Sequence, residues 1–393
     1  MKLAQRMERL GTETAFEVLA KAKALEAEGR DIIHLEVGEP DFDTPSHICN
    51  AATKAISEGY THYGPASGML ELRKQIVKTI GDTRNIHVKP EQVVVTPGAK
   101  PIMFFCVLAL VNSGDEVIYP NPGFPIYESV IDFVGAKSIP LPLKEEKEFG
   151  FDLIDLKQLV TPKTKMIILN SPANPTGGMI SGDDLKGIAD LVRDTDITIL
   201  SDEIYEFITY DDEKHESIAS FPGMQERTII LHGFSKTYSM TGWRLGYGVM
   251  QEQLAEQVTK LQINSNSCPN SFVQFGGLAA LTGSQEEPQA MVREFEHRRG
   301  VIVDGLNSID GITCLTPKGA FYVFPNVKQL VERTGKSAKE LANHFLDDGG
   351  VAVLSGTAFG KYGEGYLRFS YANSVDNINR ALERIETSLK KIL

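Results

Sequence analysis

One lysine and its neighbours offer the clearest chemistry in the sequence. Lys236 stands in a loop of small residues that follows a strand-forming segment at residues 228–231. A lysine in such a loop can form an imine with a carbonyl compound. Ser235 precedes it and Arg244 follows in a Gly-Trp-Arg sequence, and both side chains can bind a phosphate. The same residues are compatible with a solvated surface loop. The surrounding elements are therefore needed to indicate whether this loop belongs to a binding site.

Four more residues with useful chemistry follow predicted strands. The predicted strands cover residues 92–95, 116–119, 165–169, 197–200 and 228–231. The residues that come after the first four strands are Gly98, Phe124, Asn174 and Asp202. In open α/β sheets, ligands bind outside the carboxyl ends of the strands. The sequence therefore predicts one site at which Lys236 and these four residues meet.

The order of the predicted elements is typical of an α/β protein. Strands and helices alternate over most of the chain, which predicts a largely parallel sheet with helices on both faces. A smaller α+β domain is predicted from the later elements. These elements are strands at 320–324, 351–354 and 366–370 and helices at 337–346 and 375–391. We expect a large domain at residues 46–286, and a small domain made of residues 1–45 and 287–393.

Composition narrows the class of protein. The 393 residues carry a net charge of -12, which argues against nucleic-acid or anionic-membrane partners. The longest apolar run, residues 102–111, is too short to cross a bilayer and predicts a buried helix. The four cysteines lie far apart and have no metal-ligand spacing, and the N-terminus lacks the apolar core of a signal peptide. We expect a cytoplasmic protein with reduced cysteines and no metal.

Some local patterns resemble other sites without meeting their requirements. Gly335-Lys336-Ser337 looks like the end of a phosphate-binding loop, but Leu330 stands where that loop needs glycine, so Ser337 is predicted to cap a helix. No Gly-x-Gly-x-x-Gly motif follows a strand, which gives a nicotinamide enzyme little support. His215 and His297 are predicted to be surface residues.

Several short motifs occur in an order that is specific to one family. They are Gly38-Glu39-Pro40-Asp41, Asn174-Pro175-Thr176-Gly177, Ser235-Lys236, Gly242-Trp243-Arg244 and Tyr366-Leu367-Arg368-Phe369-Ser370. Over nearly its whole length the chain resembles class I aminotransferases, the pyridoxal-phosphate enzymes of the aspartate aminotransferase fold. The resemblance implies fold type I, with a mostly parallel sheet of seven strands in the large domain. It also implies ping-pong transfer of an amino group between an L-amino acid and a 2-oxo acid by a homodimer with shared sites.

The resemblance assigns catalytic roles to Lys236, Asp202 and Tyr205. Lys236 would hold pyridoxal 5'-phosphate as an imine and, once freed by the substrate, move a proton at the substrate's Cα. Asp202 would pair with the ring nitrogen of the cofactor and keep it protonated. Asn174 and Tyr205 would donate hydrogen bonds to the ring's phenolate oxygen. Phe124 would stack on the ring.

The resemblance also implies where the cofactor's phosphate binds. The backbone N–H groups of Ala99 and Lys100, just after Gly98, would hold it where a helix begins and the helix dipole favours an anion. Ser235 would add a hydroxyl, and Arg244 would add a charged bidentate contact. These residues would together form the phosphate site.

Two features bear on how complete that phosphate site is within one chain. Many family members have a serine three residues before the lysine, where this chain has Gly233. Ser235 would then replace that serine only in part. Tyr63 resembles the tyrosine that reaches the phosphate of the neighbouring subunit, which would make the active protein a dimer.

The α-carboxylate of the substrate has its own implied partners. Arg368 lies in a short predicted strand, and its planar guanidinium suits a carboxylate. The backbone of Gly38 would close over the same carboxylate, with Asn174 beside it. These residues would bind any α-amino acid, so they do not select a side chain.

The sequence is compatible with two alternative preferences for the side chain of the substrate. Lys100 stands where a lysine can read a distal carboxylate in the aspartate-type subgroup, which would favour aspartate or glutamate. Against this, Phe124 stands where that subgroup often has tryptophan. Phe16, Phe321 and Tyr322 could instead line a pocket for an aromatic or neutral side chain.

Other functions are compatible with part of this pattern. A lyase that eliminates at Cβ would use the same Lys236, Asp202 and Arg368. A non-catalytic ligand-binding module of this fold is disfavoured, because no DNA-binding segment is appended. A nicotinamide dehydrogenase is the weakest alternative.

Overall fold

The computed structural model describes all 393 residues, which form thirteen α-helices and twelve β-strands. The helices are α1 (Thr14–Ala27), α2 (Ser46–Ser57), α3 (Leu70–Arg84), α4 (Lys100–Leu110), α5 (Ile126–Phe133), α6 (Leu153–Leu159), α7 (Gly182–Val192), α8 (Glu252–Asn266), α9 (Ser271–Thr282), α10 (Glu286–Asn307), α11 (Lys328–Thr334), α12 (Ala338–Asp347) and α13 (Val375–Leu389). The strands are β1 (Ile33–His34), β2 (Val93–Thr96), β3 (Glu116–Asn121), β4 (Lys137–Pro142), β5 (Thr164–Asn170), β6 (Thr198–Asp202), β7 (Thr228–Gly233), β8 (Gly246–Val249), β9 (Tyr322–Val323), β10 (Val351–Ala352), β11 (Leu354–Ser355) and β12 (Leu367–Ser370). None of the helices combines the length and the apolar character needed to span a membrane.

A sheet of seven strands forms the centre of the molecule, in the order β2-β8-β7-β6-β5-β3-β4. All neighbouring strands are parallel except β8, which is antiparallel to both β2 and β7. The predicted α/β class and the mostly parallel sheet are therefore confirmed. The five strands expected from the sequence are β2, β3, β5, β6 and β7.

Two strands of this sheet were not predicted, and their compositions explain why. β4 contains Pro140 and Pro142, which remove ladder donors and are tolerated because β4 is an edge strand. β8 reads Gly-Tyr-Gly-Val, and glycine is a poor strand former. Gly246 is needed there, since a Cβ atom at this position would lie 2.8 Å from the Cα atom of Ala99. The backbone of β8 thus passes directly beside the turn that leads into α4.

Alternating side chains of the central strands bury both faces of the sheet. In β5, Met166 and Ile168 pack in one cluster with α4, α5 and α8, whereas Ile167 and Leu169 pack in another with α6 and α7. A third cluster joins β2, β7 and β8 to α2, α3 and α9. Because successive side chains of a strand point to opposite faces, a strand buried on both sides is apolar throughout. The helices predicted on both faces are present.

The remaining strands form two small sheets. β11, β12 and β9 make an antiparallel sheet, and β1 pairs in parallel with β10 near the end of the chain. The strands expected at 320–324 and 351–354 are shorter than predicted or divided in two. Ser337 caps α12, accepting a hydrogen bond from the backbone N–H of Glu340, as the sequence predicts.

We propose the same division into a large domain, residues 46–286, and a small one, residues 1–45 and 287–393. A buried cluster of 31 residues joins Ile33 and Leu35 to side chains of α10, α12 and α13. The boundary near residue 286 falls at the start of α10. The same cluster also includes Tyr205, Ile208 and Tyr210, so the two parts would meet along the segment that follows β6.

Candidate active site

A cavity of about 500 Å³ lies at the carboxyl ends of the central strands. Eleven of the predicted site residues line it: Gly38, Ala99, Lys100, Phe124, Asn174, Asp202, Tyr205, Ser235, Lys236, Arg244 and Arg368. Residues at or just after the ends of β2, β3, β5, β6 and β7 line it. The structure therefore brings together predicted site residues from both ends of the chain, such as Gly38 and Arg368.

Lys236 presents an amine to this cavity from the loop after β7. Its Nζ donates a hydrogen bond to the backbone oxygen of Gly38 and lies 5.9 Å and 5.7 Å from the ring centroids of Tyr205 and Phe321. Enclosure by the protein lowers the pKa of the lysine to about 8, with a further lowering from the charge of Arg368. About a tenth of this amine is therefore neutral, and nucleophilic, at pH 7.

Asp202 is the last residue of β6 and is a buried residue of the cavity lining. Its Oδ2 accepts a hydrogen bond of 2.6 Å from the hydroxyl of Tyr127, and its Oδ1 accepts one of 3.3 Å from the backbone N–H of Ile204. Burial raises the pKa of the Asp202 carboxyl to about 6, against the opposite effect of the Tyr127 hydrogen bond. A buried carboxylate with no cation beside it gains most from a cationic ligand.

Arg368 supplies a buried cation without an anionic partner. It is 3 % exposed, and its guanidinium lies 4.6 Å and 4.8 Å from the ring centroids of Tyr322 and Phe359. It donates one hydrogen bond of 3.1 Å to Oδ1 of Asn174 and another to the backbone oxygen of Glu36. Its Nε is buried and has no hydrogen-bond partner. A carboxylate bound in the cavity would satisfy this charge.

The loop that carries Asn174 is held by another amide. Asn170, at the end of β5, accepts a hydrogen bond of 2.9 Å from the backbone N–H of Asn174. The same side chain donates to the backbone oxygen of Asp202 at 3.1 Å. Asn170 therefore fixes the loop after β5 relative to the end of β6. Since Arg368 uses only the oxygen of Asn174, the amide nitrogen of Asn174 can serve a ligand.

Arg244 and the start of α4 form a second cationic region. Gly98 has a φ of 85°, and a Cβ atom there would lie 2.9 Å from Cζ of Arg244. Glycine therefore lets the guanidinium approach the turn closely, although Gly98 itself does not line the cavity. Ala99 is the N-cap residue of α4, and the N–H groups of Ala99 and Lys100 at this helix start have no carbonyl of the same helix to bind. This combination suits an anion.

Gly233 shows why this chain departs from the usual serine. It is the last residue of β7 and pairs with Gly246 of β8. A Cβ atom at Gly233 would lie 3.1 Å from Cα of Gly246 and 3.2 Å from the backbone oxygen of Leu245. A serine there would press on β8, whereas Ser235 lines the cavity.

Two tyrosines and a glycine close one side of the cavity. The hydroxyls of Tyr205 and Tyr322 lie 2.7 Å apart. A Cβ atom at Gly38 would overlap the Tyr322 hydroxyl. One of the two tyrosine protons remains available to a ligand, because a hydroxyl pair uses only one of its two hydrogens. Of the residues predicted to surround a neutral side chain, Phe16 and Tyr322 line the cavity, and Phe321 lies behind Tyr205.

Lys100 is paired within the protein. Its Nζ donates to the Glu13 carboxylate and lies 5.3 Å from the ring centroid of Phe124. Tyr63, by contrast, is 88 % exposed and does not line the cavity of its own chain. Its predicted contact with a neighbouring subunit stays a prediction.

The prediction that His215 lies at the surface is wrong. Its side chain is 8 % exposed, and its Nε2 lies 3.3 Å from Oε2 of Glu203. Glu203, Glu206 and His215 are close enough together to hold a metal ion. Arg84, however, donates to both carboxylates, so charge pairing within the protein already accounts for the cluster. His297 is exposed, as predicted.

Sequence reasoning missed several residues of the site. Tyr127 lies at the start of α5, one turn after Phe124, and Asn170 is the last residue of β5. Their positions near strand exits were a usable signal. No local pattern pointed to Glu13, which precedes α1. Its role depends on a contact with a residue 87 positions away.

Comparison with known proteins identifies the family. The family model for "Aminotransferase class I and II" matches residues 30–385. The chain belongs to this family. It is 40 % identical to an aspartate aminotransferase of Bacillus subtilis over the whole of both chains. It is 39 % identical to aromatic-amino-acid aminotransferase 2 of Thermococcus litoralis, covering 100 % of this chain and 99 % of that one.

A solved structure agrees with this assignment. The aspartate aminotransferase from Rhizobium meliloti superimposes with a TM-score of 0.96 at 33 % identity, covering the whole of both chains. These three relatives are named as aminotransferases, and none as a lyase or a dehydrogenase. This aminotransferase therefore uses pyridoxal 5'-phosphate and exchanges an amino group between an amino acid and a 2-oxo acid.

The residues of the cavity fit that cofactor. The lowered pKa of Lys236 suits an amine that must react with an aldehyde, and the buried Asp202 suits a protonated ring nitrogen. The guanidinium of Arg244, lying against Gly98 where no side chain fits, suits a phosphate. When bound, pyridoxal 5'-phosphate supplies a conjugated ring that takes up the electrons released at the substrate's Cα.

Proposed function

We propose that this aminotransferase acts on acidic L-amino acids of the aspartate and glutamate type, with a 2-oxo acid as the acceptor. The observation that supports this best is the Lys100 ammonium at the cavity wall. Arg368 is assigned to the α-carboxylate and Arg244 to the phosphate, which leaves Lys100 for a second substrate carboxylate. The aspartate aminotransferases among the relatives agree with this preference.

Lys236 is proposed as the group that moves the proton. With a pKa of about 8, its amine can take a proton from the substrate's Cα and return it at neutral pH. Its present partner, the backbone oxygen of Gly38, is a neutral acceptor and does not hold the lysine in its charged form. Borohydride reduction of the holoenzyme, followed by peptide mapping, should place the cofactor label on Lys236. A label on another lysine would refute this role.

Asp202 is proposed to hold a proton at the ring nitrogen of the cofactor. Tyr127 orients the carboxylate by donating to Oδ2, and the Ile204 N–H fixes Oδ1. Asn174 and Tyr205 are proposed to donate to the ring's phenolate oxygen, with Phe124 against the ring face. All of them line the same cavity.

Arg368 is proposed to bind the substrate's α-carboxylate. Asn174 already holds its Nη1, and the unpartnered Nε offers a further donor to a carboxylate. The backbone of Gly38 would close over the same group, where Tyr322 leaves no space for a side chain. These contacts would orient the Cα–H bond toward Lys236.

The phosphate site is proposed to consist of the N–H groups of Ala99 and Lys100 after Gly98, the Ser235 hydroxyl and Arg244. The partner subunit's Tyr63 would complete it in a homodimer. A hybrid of a Tyr63→Phe subunit with a Lys236→Ala subunit tests this sharing, because one of its two sites has both native residues. Cofactor affinity at that site should equal that of the wild type. Hybrids that bind no better than the Tyr63→Phe dimer would contradict the shared site.

A preference for aromatic or neutral amino acids is the second candidate. Phe16 and Tyr322 line the cavity, and Lys100 is neutralised by Glu13. A panel of amino donors and 2-oxo acids, read from the spectra of the half-reactions, separates the two. Aspartate and glutamate should react with a higher kcat/KM than phenylalanine. The reverse order would replace the first candidate by the second.

We also propose a cytoplasmic location. All four cysteines are free, as is usual where thiols are kept reduced. Fractionation of cells followed by immunodetection would test it, and recovery in an exported fraction would contradict it.

A further inference from the structure

Glu13 occupies a position at which its residue type is unusual. It is the N-cap residue of α1, where serine, threonine, aspartate or asparagine usually bind the first N–H groups of the helix. The Glu13 side chain makes no such hydrogen bond. It extends instead to the Lys100 ammonium at the start of α4. The side chain thus contributes nothing to its own helix end and serves a contact in the cavity.

The other charged groups of the cavity have separate partners or assigned ligands. Of the three carboxylates that line it, Asp202 accepts from Tyr127, and Glu39 accepts from Thr241. Glu13 is the carboxylate that neutralises Lys100. The Phe124 ring lies 5.3 Å from the Lys100 ammonium, and Phe16 also lines the cavity. While the pair is closed, this part of the cavity offers aromatic surface and no net charge.

We propose that Glu13 is an internal counter-ion that the distal carboxylate of a substrate replaces on Lys100. The pair would stay closed for aromatic or neutral substrates and open for dicarboxylic ones. One cavity would then serve both classes. This inference rests on the proposed role of Lys100 as the reader of a distal carboxylate.

The surroundings of Glu13 permit the exchange. The side chains of Glu13 and Lys100 are 17 % and 47 % exposed, so water reaches both partners. Residues 1–12 are all exposed, and Ala22 is the one fully buried residue of α1. Glu13 can therefore turn toward solvent without disturbing the core. Partly exposed ion pairs contribute little stability, so a substrate carboxylate can compete with it.

Equilibrium binding to the holoenzyme tests this exchange without relying on turnover. The probes are maleate, a dicarboxylate that cannot be transaminated, and 3-phenylpropionate, an aromatic monocarboxylate. With Glu13→Gln, the Kd of maleate should fall about three- to tenfold, as expected for removal of a partly exposed competing charge. The Kd of 3-phenylpropionate should change less than twofold. Glu17→Gln is the matched control, since Glu17 is exposed on the same helix and outside the cavity.

Variants of Lys100 separate competition from simple charge repulsion. In a Lys100→Met background, Glu13→Gln should no longer change maleate binding, because there is no ammonium left to compete for. If Glu13→Gln still tightens the binding of maleate in that background, Glu13 acts by repelling the maleate carboxylate, and the exchange is refuted. If Glu13→Gln weakens maleate in the native background, Glu13 positions Lys100 and the exchange is also refuted.

The same variants distinguish failure of this inference from failure of the proposed function. If Lys100→Met leaves maleate binding unchanged, Lys100 does not read a distal carboxylate and the proposed substrate class fails. If Lys100→Met weakens maleate but Glu13→Gln has no effect, the substrate class stands and only the exchange fails.

Discussion

The Tyr127 hydroxyl donates a hydrogen bond of 2.6 Å to Oδ2 of Asp202, across 75 positions of sequence. Tyr127 is enclosed at the start of α5, and Asp202 ends β6. The bond orients the carboxylate that is proposed to face the ring nitrogen of the cofactor. It also favours the charged form of Asp202, whose pKa burial raises to about 6.

Tyr127→Phe should weaken cofactor binding. The ring would keep its packing, but a buried carboxylate would lose a hydrogen bond of about 1.5–3 kcal/mol. The pKa of Asp202 would rise further, so less of it would be charged at neutral pH. We expect cofactor affinity to fall about tenfold, measured by titrating the apoenzyme and following the absorbance of the bound cofactor. Tyr119→Phe, which removes a hydroxyl bonded to Asn121 outside the cavity, is the control. If Tyr127→Phe and the wild type bind the cofactor with equal affinity, other contacts orient Asp202.

Lys236→Met should stabilise the apoenzyme at neutral pH. Burial lowers the pKa of Lys236 to about 8 from its usual 10.5, so the folded protein disfavours the charged amine. Below pH 8 the unfolded and folded chains both carry that charge, and its burial costs about 3–4 kcal/mol. Between pH 8 and 10.5 the unfolded chain binds more protons, so the stability of the wild type rises with pH relative to the variant.

Urea unfolding of the two apoproteins at pH 7 and pH 10.5 measures this difference. The variant should be more stable at pH 7, and the gap should close at the higher pH. A gap that is the same at both pH values would mean that packing of the methionine, and not the lysine charge, causes it.

Arg368→Lys should lower kcat/KM to the same extent for every substrate. An ammonium cannot make two parallel hydrogen bonds to a carboxylate, and it would leave Asn174 without its donor. We expect kcat/KM to fall about a hundredfold for both aspartate and phenylalanine, which corresponds to about 3 kcal/mol. Arg299→Lys is a suitable control, because Arg299 also lies over a tyrosine ring but pairs with Asp211 outside the cavity. A loss of kcat/KM confined to one substrate class would indicate that Arg368 binds the side chain of the substrate and not its α-carboxylate.

Ser235→Ala should weaken phosphate binding, whereas Gly233→Ser should not strengthen it. Loss of one hydroxyl from the phosphate site should lower cofactor affinity about three- to tenfold. A serine at position 233 would crowd Gly246 and Leu245 and lower the free energy of unfolding by about 1–3 kcal/mol. Cofactor titration and urea unfolding of both variants measure these effects. Tighter cofactor binding by Gly233→Ser than by the wild type would indicate that β8 can move to accept the usual serine.

Much of the fold and part of the site could be predicted from local sequence. Apolar segments separated by helical ones predict a parallel sheet, because strands buried on both faces need helices on both sides. The carboxyl ends of such strands meet at one edge, so the residue order alone is enough to predict that Lys236, Asp202 and Asn174 lie together. Two strands could not be predicted locally: β4, which contains two prolines, and β8, in which Gly246 is needed for a close approach to Ala99 and not for strand formation.

The sequence by itself determined the α/β architecture, the strand exits and the position of Lys236 just after one of them, since these follow from short-range residue patterns. Only the tertiary structure decided which side chains became partners: Glu13 with Lys100, Tyr127 with Asp202, and Arg368 with Asn174, 194 positions apart. It also buried His215 beside Glu203. Such pairs form because packing of distant elements brings them together, and burial then sets their charge and reactivity. No window of neighbouring residues contains that information.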